Sequence, residues 1–193
     1  MSASIVSPVD DFPGINPRNL VWVALALACL AAAIASPGLW ALTFIHILCG
    51  LLWTGIDLFM GFVMGPILRQ VSPPARRAVA CRLMPKMLFL MPTLAAITGT
   101  AGWVLAGRVG FLALPWPQYA WVAAALVIVT ILTLQGLGLL LPINLMVYFE
   151  LRKPQPNVPR IARLMRFYVY GVGSQGLLQI AIIVIMARFG SGL

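Results

Sequence analysis

Charged residues are scarce in this chain of 193 residues, where Asp, Glu, Lys and Arg together make up 9% of the sequence. Hydrophobic residues account for 62%. They come in blocks of about 20 or more, the length at which a helix crosses the hydrocarbon of a bilayer. A soluble globular domain is excluded, because such blocks would leave its surface with almost nothing polar to present to water. The sequence therefore predicts an integral membrane protein.

Cysteine and histidine are also rare, with three cysteines and a single histidine in the chain. Cys29 and Cys49 fall in apolar blocks, and Cys81 falls in a segment that we expect to be a cytoplasmic loop. No disulfide and no CxxC or CxxCH site is predicted, which excludes covalent attachment of a c-type haem. His46 has no second histidine to share a ligand site with.

The net charge of +9 comes from basic residues that cluster in two short segments beside apolar blocks. Such clusters follow the positive-inside pattern of membrane proteins, so the charge does not require a nucleic acid partner. Contact with anionic lipid head groups is a secondary role that these segments could also serve. The clustered residues are Arg69, Arg76, Arg77, Arg82, Lys86, Arg152, Lys153, Arg160, Arg163 and Arg166.

The apolar blocks predict an all-α fold with five transmembrane helices. With both basic segments in the cytoplasm, the amino terminus lies inside and the carboxyl terminus outside. Residues 1–17 are expected to form a disordered cytoplasmic tail, and residues 18–193 a single transmembrane domain. The segment "SPPARRAVACRLMPK" is expected to be an amphipathic cytoplasmic segment at the lipid surface. The helices are placed at about residues 20–36, 39–68, 87–107, 118–149 and 167–188.

Two similar hexapeptides indicate an internal repeat: "GIDLFM" at residues 55–60 and "PINLMV" at residues 142–147. Each ends a long apolar block and precedes a basic loop, which predicts two hairpins of the same direction forming a four-helix bundle, with the first helix added. In this alignment Asp57 matches Asn144, so we expect an amide partner for the carboxylate. The alternative is that any two membrane hairpins of one topology look alike under the positive-inside rule.

The second apolar block places two ionisable residues, His46 and Asp57, where a charge costs several kcal/mol unless it is compensated. Both are functional candidates for that reason, and Asp57 should lie about 16 Å deeper along the helix than His46. Gly50 leaves space beside His46 that either a flat ligand or a closely packed helix could use. Six residues share one face of this helix: His46, Gly50, Trp53, Asp57, Met60 and Met64.

The same residues carry a resemblance to known families. The pattern H-x3-G-x2-W-x-G-x3-F, from His46 to Phe59, resembles the membrane domain of bacterial cytochrome-type urate hydroxylases. It is also similar to the copper resistance protein D family and to the bacterial membrane protoporphyrinogen oxidase. A second stretch from Arg82 to Leu105 is similar to the Arg-Leu, Pro, Thr-Gly series of those proteins, and the resemblance covers about residues 40–106.

The resemblance implies a haem b held by His46, with Gly50 and Trp53 beside it, in a bacterial inner membrane protein. The second axial ligand would be a methionine, water or nothing. It implies a redox protein that passes electrons between a membrane donor such as a quinol and a partner such as a cytochrome. Whether the chain is itself an oxidoreductase is left open. The protoporphyrinogen oxidase has a lysine just before its histidine, where this chain has "LTFI", so we do not assign that reaction.

Several alternatives stay open. Copper could be bound in place of haem, with Met60 and Met64 beside His46, although such methionines are more often core residues. The chain could instead be a small transporter or ion-handling protein that uses Asp57 and Asn144, with Gln135, Gln175 and Gln179 in the same polar line between helices. It could also be a non-catalytic assembly subunit of a membrane complex. In the plainest interpretation, His46 is a neutral imidazole bound to a backbone carbonyl or to Thr43, and Asp57 only fixes helix register.

Overall fold

The computed structural model describes residues 14–192, which fold into five helices joined by short connections. No β-strand occurs within that range. The first thirteen residues of the expected disordered tail lie outside the described part of the chain. The helices are α1 (Asn19–Ala35), α2 (Trp40–Gln70), α3 (Pro73–Arg108), α4 (Tyr119–Leu151) and α5 (Val158–Gly190), with a 3-10 turn at Phe111–Ala113.

Helices α2 to α5 are each long and apolar enough to cross a bilayer, whereas α1 is a shorter apolar helix of 17 residues. Only 11% to 22% of the most apolar stretch of each long helix is buried inside the protein. The remaining apolar surface indicates a lipid environment, because exposing so continuous a hydrophobic surface to water is energetically unfavourable. The prediction of an all-helical, multi-pass membrane protein is therefore confirmed.

Two of the long helices contain a π-helical turn, at Met60–Met64 in α2 and at Gly136–Leu140 in α4. Each turn is followed within two residues by a proline, Pro66 or Pro142. A proline ring clashes with the carbonyl one turn earlier, and the wider π turn makes room for it without ending the helix. The backbone hydrogen bonds thus change to the π pattern before each proline, and α2 and α4 continue as single helices.

Helix α3 begins at Pro73, well before the expected start at Met87. Ser72 and the two prolines that follow it start the helix, and the basic segment is the first part of α3 instead of a separate element at the lipid surface. Cys81 lies fully buried within this part of α3, so the expectation that it lies in a loop was wrong. The helix ends before Gly110, whose φ of 82° is the left-handed conformation that favours glycine.

Helix α5 also begins earlier than its apolar composition predicts, at Val158 instead of about residue 167. The side chain of Asn157 accepts a hydrogen bond of 2.9 Å from the backbone N–H of Arg160, which caps the first turn. The first turns of α5 carry the basic residues that lowered its hydropathy, so the apolar pattern missed them.

The four long helices form a ring in which α2 packs on α3, α3 on α4, α4 on α5, and α5 on α2. One core lies at the centre of this ring, where Trp53, Leu94 and Leu132 pack together with Leu178 against them. Helix α1 packs outside the ring on α2 and α3 through a second core around Leu42.

The two basic segments meet at one end of the ring. Arg77 near the start of α3 donates hydrogen bonds of 2.9 Å to the Leu151 carbonyl and 3.0 Å to the Lys153 carbonyl at the end of α4. Glu150 is almost fully buried there and accepts from Lys153 and Arg160 at 2.8 and 3.4 Å. The positive charge is thereby concentrated on one face of the membrane domain.

Candidate functional site

His46 lies on α2 where this helix packs against α3. Its Nδ1 atom is 2.9 Å from the backbone carbonyl oxygen of Thr98. A carbonyl oxygen only accepts, so Nδ1 carries the hydrogen in this contact. The plainest interpretation of His46 expected such a backbone bond, and the structure assigns the carbonyl to α3 and not to the histidine's own helix.

Two glycines allow α2 and α3 to pack closely near the imidazole. A Cβ atom added at Gly102 would lie 2.7 Å from Cε1 of His46, so the absence of a side chain there admits the ring. A Cβ added at Gly50 would meet the methyl group of Thr98 at 3.4 Å. The space beside Gly50, expected to hold either a flat ligand or a neighbouring helix, is therefore occupied by α3.

One ring nitrogen of His46 is suited to bind iron or copper. Because Nδ1 donates to Thr98, Nε2 is the ring nitrogen with a lone pair for a metal. Metal-binding histidines commonly donate their other ring nitrogen to a backbone carbonyl, which fixes the ring orientation. Nε2 of His46 would therefore be the atom that holds a haem iron or a copper ion.

Trp53, the third residue of the predicted haem site, is 6% exposed at the centre of the helix ring. It packs with Leu94 of α3 and Leu132 of α4. Seven residues separate it from His46, or about 10 Å along α2. Trp53 is thus a core residue about two helical turns from the histidine.

The remaining predicted residues lie further from His46. Met60 and Met64 are half-buried in the π turn of α2, about 21 and 27 Å along the helix from the histidine. Arg82 is exposed on the basic end of α3 and donates to the Ala78 carbonyl at 3.2 Å. The structure does not bring these three residues together with His46.

Asp57 lies on a different interface, between α2 and α5. Its Oδ2 atom accepts hydrogen bonds of 2.8 Å from Nε2 of Gln175 and 2.8 Å from Nε2 of Gln179. Both glutamines lie on one face of α5, because residues four apart in a helix are separated by about one turn. Both glutamines belong to the polar line expected in the transporter alternative, whereas the repeat had paired Asp57 with Asn144.

Asn144 does not pair with Asp57 among the described residues, contrary to the contact expected from the repeat. The Asn144 side-chain amide instead lies beside the hydroxyl of Tyr168 on α5. The spacing of Gln175 and Gln179 was the available signal, because two glutamines four residues apart in an apolar helix form a polar patch on one face.

Both glutamines are buried, at 3% exposure for Gln175 and 1% for Gln179. Their Oε1 atoms have no hydrogen-bond partner in the described part of the chain. A buried polar atom without a partner costs about 1–3 kcal/mol. The cluster of Asp57, Gln175 and Gln179 thus has two oxygen atoms that the protein itself leaves unsatisfied.

No group of three or more His, Cys, Asp or Glu side chains gathers as a metal site among residues 14–192. Comparison of the chain with protein-family models, with curated proteins and with solved structures gave no match. The two sites are therefore interpreted from their own chemistry.

Proposed function

We propose that this chain is a haem b-binding integral membrane redox protein in which His46 is the axial ligand. The observation that supports this proposal is the contact of His46 Nδ1 with the Thr98 carbonyl, which orients the only histidine of the chain. The family resemblance around His46 is the reason for proposing haem, and Nε2 is the ring nitrogen that does not bond to Thr98.

The described residues would act on the haem through position and polarity. Nε2 of His46 would hold the iron, and the Thr98 carbonyl would keep the ring in one orientation and raise the basicity of the ligand. The apolar side chains of α2 and α3 would exclude water, which tunes the potential of a haem. When bound, the haem would supply reversible transfer of one electron.

The position of His46 along α2 suggests which side of the membrane the redox partner uses. His46 is six residues from the start of α2 at Trp40, or about 9 Å along the helix. This is the end of the ring away from the basic segments. We therefore place a quinol or similar membrane donor beside the bundle and a cytochrome-like partner at the outer surface.

The same proposal includes the topology of a bacterial inner membrane protein. The basic face, which gathers Arg77, Lys153 and Arg160, would be cytoplasmic. With α1 as a fifth span, the amino terminus would be cytoplasmic and the carboxyl terminus outside. The 17 residues of α1 reach the lower limit of length for a transmembrane helix, which is about 17–25 residues.

The test is the visible spectrum of protein expressed with haem supplied and purified in detergent, recorded oxidised and after dithionite. A Soret band and a reduced α band, with a haem b assay, support the proposal; detergent micelles loaded with haemin are the control. A colourless, monodisperse protein would overturn it. Metal analysis of the same sample measures copper, the alternative metal that His46 could bind.

A further inference from the structure

The carboxylate of Asp57 faces neutral groups. Its hydrogen bonds come from the amides of Gln175 and Gln179, and no Lys or Arg side chain pairs with it among the described residues. Neutral amides can solvate a carboxylate but cannot cancel its charge, and an uncompensated charge in hydrocarbon is costly. The described residues therefore supply no positive charge to balance the carboxylate of Asp57.

The position of the cluster along the helices makes the uncompensated charge of Asp57 especially costly. Asp57 is 17 residues from the start of α2 and 13 from its end, so it lies close to the middle of this span. Gln175 is 17 residues from the start of α5 and 15 from its end. Both helices therefore present the cluster near the bilayer midplane, where coupling ions of transporters are commonly held.

The amide orientation points to the kind of ligand. Rotating a Gln side chain by 180° about its last bond exchanges the oxygen and nitrogen without changing its shape. In that orientation both Oε1 atoms would face the Asp57 carboxylate, and three oxygens would repel one another unless a cation lay between them. A cation would thus give partners to the two amide oxygens that now lack them, and it would replace the two amide N–H donors at the Asp57 carboxylate.

We propose that Asp57, Gln175 and Gln179 bind a monovalent metal cation, Na⁺, through their side-chain oxygens. One carboxylate cancels a single positive charge, whereas a divalent ion would leave a net charge at the midplane. A proton on the carboxyl could donate to only one of the two amide oxygens. This site is independent of the haem proposal, because His46 lies on the α2–α3 interface.

The test is equilibrium binding of radioactive ²²Na⁺ to the wild-type protein in nanodiscs, with choline chloride holding the ionic strength constant. We expect saturable binding of a single ion per chain, displaced by unlabelled Na⁺. In Asp57→Asn the saturable binding should be lost. In Gln179→Leu the affinity should fall by about tenfold or more, as for other residues that complete a metal site.

Gln135→Leu is the matched control. Gln135 is a glutamine of α4 at a similar depth, but it donates to the Ser174 hydroxyl at 3.0 Å and not to Asp57. This variant should keep the wild-type affinity for Na⁺. The absence of saturable binding in the wild-type protein would overturn the proposal, as would equal binding in folded Asp57→Asn or Gln179→Leu. Because the wild-type result alone can overturn it, the test does not depend on the folding of a variant.

Discussion

The Nδ1 atom of His46 lies 2.9 Å from the carbonyl oxygen of Thr98, so the only histidine of the chain is held by helix α3. Asp57, eleven residues further along α2, is held by Gln175 and Gln179 of helix α5. His46 and Asp57 therefore belong to two different interfaces of α2. Substitutions at one site should leave the other intact, since distant sites with no shared partner act independently.

Gly102→Ala tests the packing around His46. The new Cβ atom would lie 2.7 Å from Cε1 of the ring, so the imidazole must move and its bond to Thr98 must weaken. We expect a loss of about 1–3 kcal/mol in the free energy of unfolding, measured by SDS titration in mixed micelles.

Gly99→Ala is the control for that substitution, because a Cβ atom at Gly99 meets no neighbouring atom within 4 Å. It should be neutral or stabilising by up to about 1 kcal/mol, since alanine favours the helix over glycine. Equal effects of the two substitutions would contradict the contact between His46 and Gly102.

Asp57→Leu should destabilise the protein more than Asp57→Asn. Leucine leaves the amide groups of Gln175 and Gln179 without an acceptor, at a cost of about 1–3 kcal/mol for each buried donor. Asparagine keeps one side-chain oxygen for them. Unfolding in sodium-free buffer measures this difference apart from any bound cation. If both variants unfold at the wild-type SDS concentration, the bonds between α2 and α5 contribute nothing.

Cysteine labelling on intact bacterial cells tests the topology. In a variant without Cys29, Cys49 and Cys81, we place a single cysteine at Gln118, before α4, or at Gln155, between α4 and α5. Because the basic face should be cytoplasmic, a membrane-impermeant maleimide should label position 118 in intact cells and position 155 only after lysis. The reverse pattern would invert the proposed orientation.

The sequence predicts the helices better than their ends. Continuous apolar blocks identify α2 to α5 because a single apolar segment of about 20 residues satisfies its own backbone hydrogen bonds inside lipid by forming a helix. The starts of α3 and α5 were missed because their first turns carry basic residues, which lower hydropathy without disfavouring helix. At α5 the capping residue Asn157 was the local signal for the true start.

The candidate residues could be named from the sequence, and so could Gln175 and Gln179 as members of one polar line with Asp57, but the individual contacts could not. His46 and Asp57 are exceptional in an apolar block, so composition alone selects them. Thr98 contributes a backbone carbonyl, which every residue has and which no pattern can single out. Pairing Asp57 with Asn144 assumed that the two hairpins are symmetric in detail, whereas the ring of helices places Asp57 against α5.

The most direct test of the central claim compares haem content and reduced spectra of the wild type and His46→Ala, each purified with haem supplied. If His46 is the axial ligand, the wild type should contain haem b with a reduced α band. The variant should lose both while its elution volume and helical circular dichroism stay unchanged. A folded His46→Ala variant that keeps the haem and its spectrum would contradict the assignment of His46.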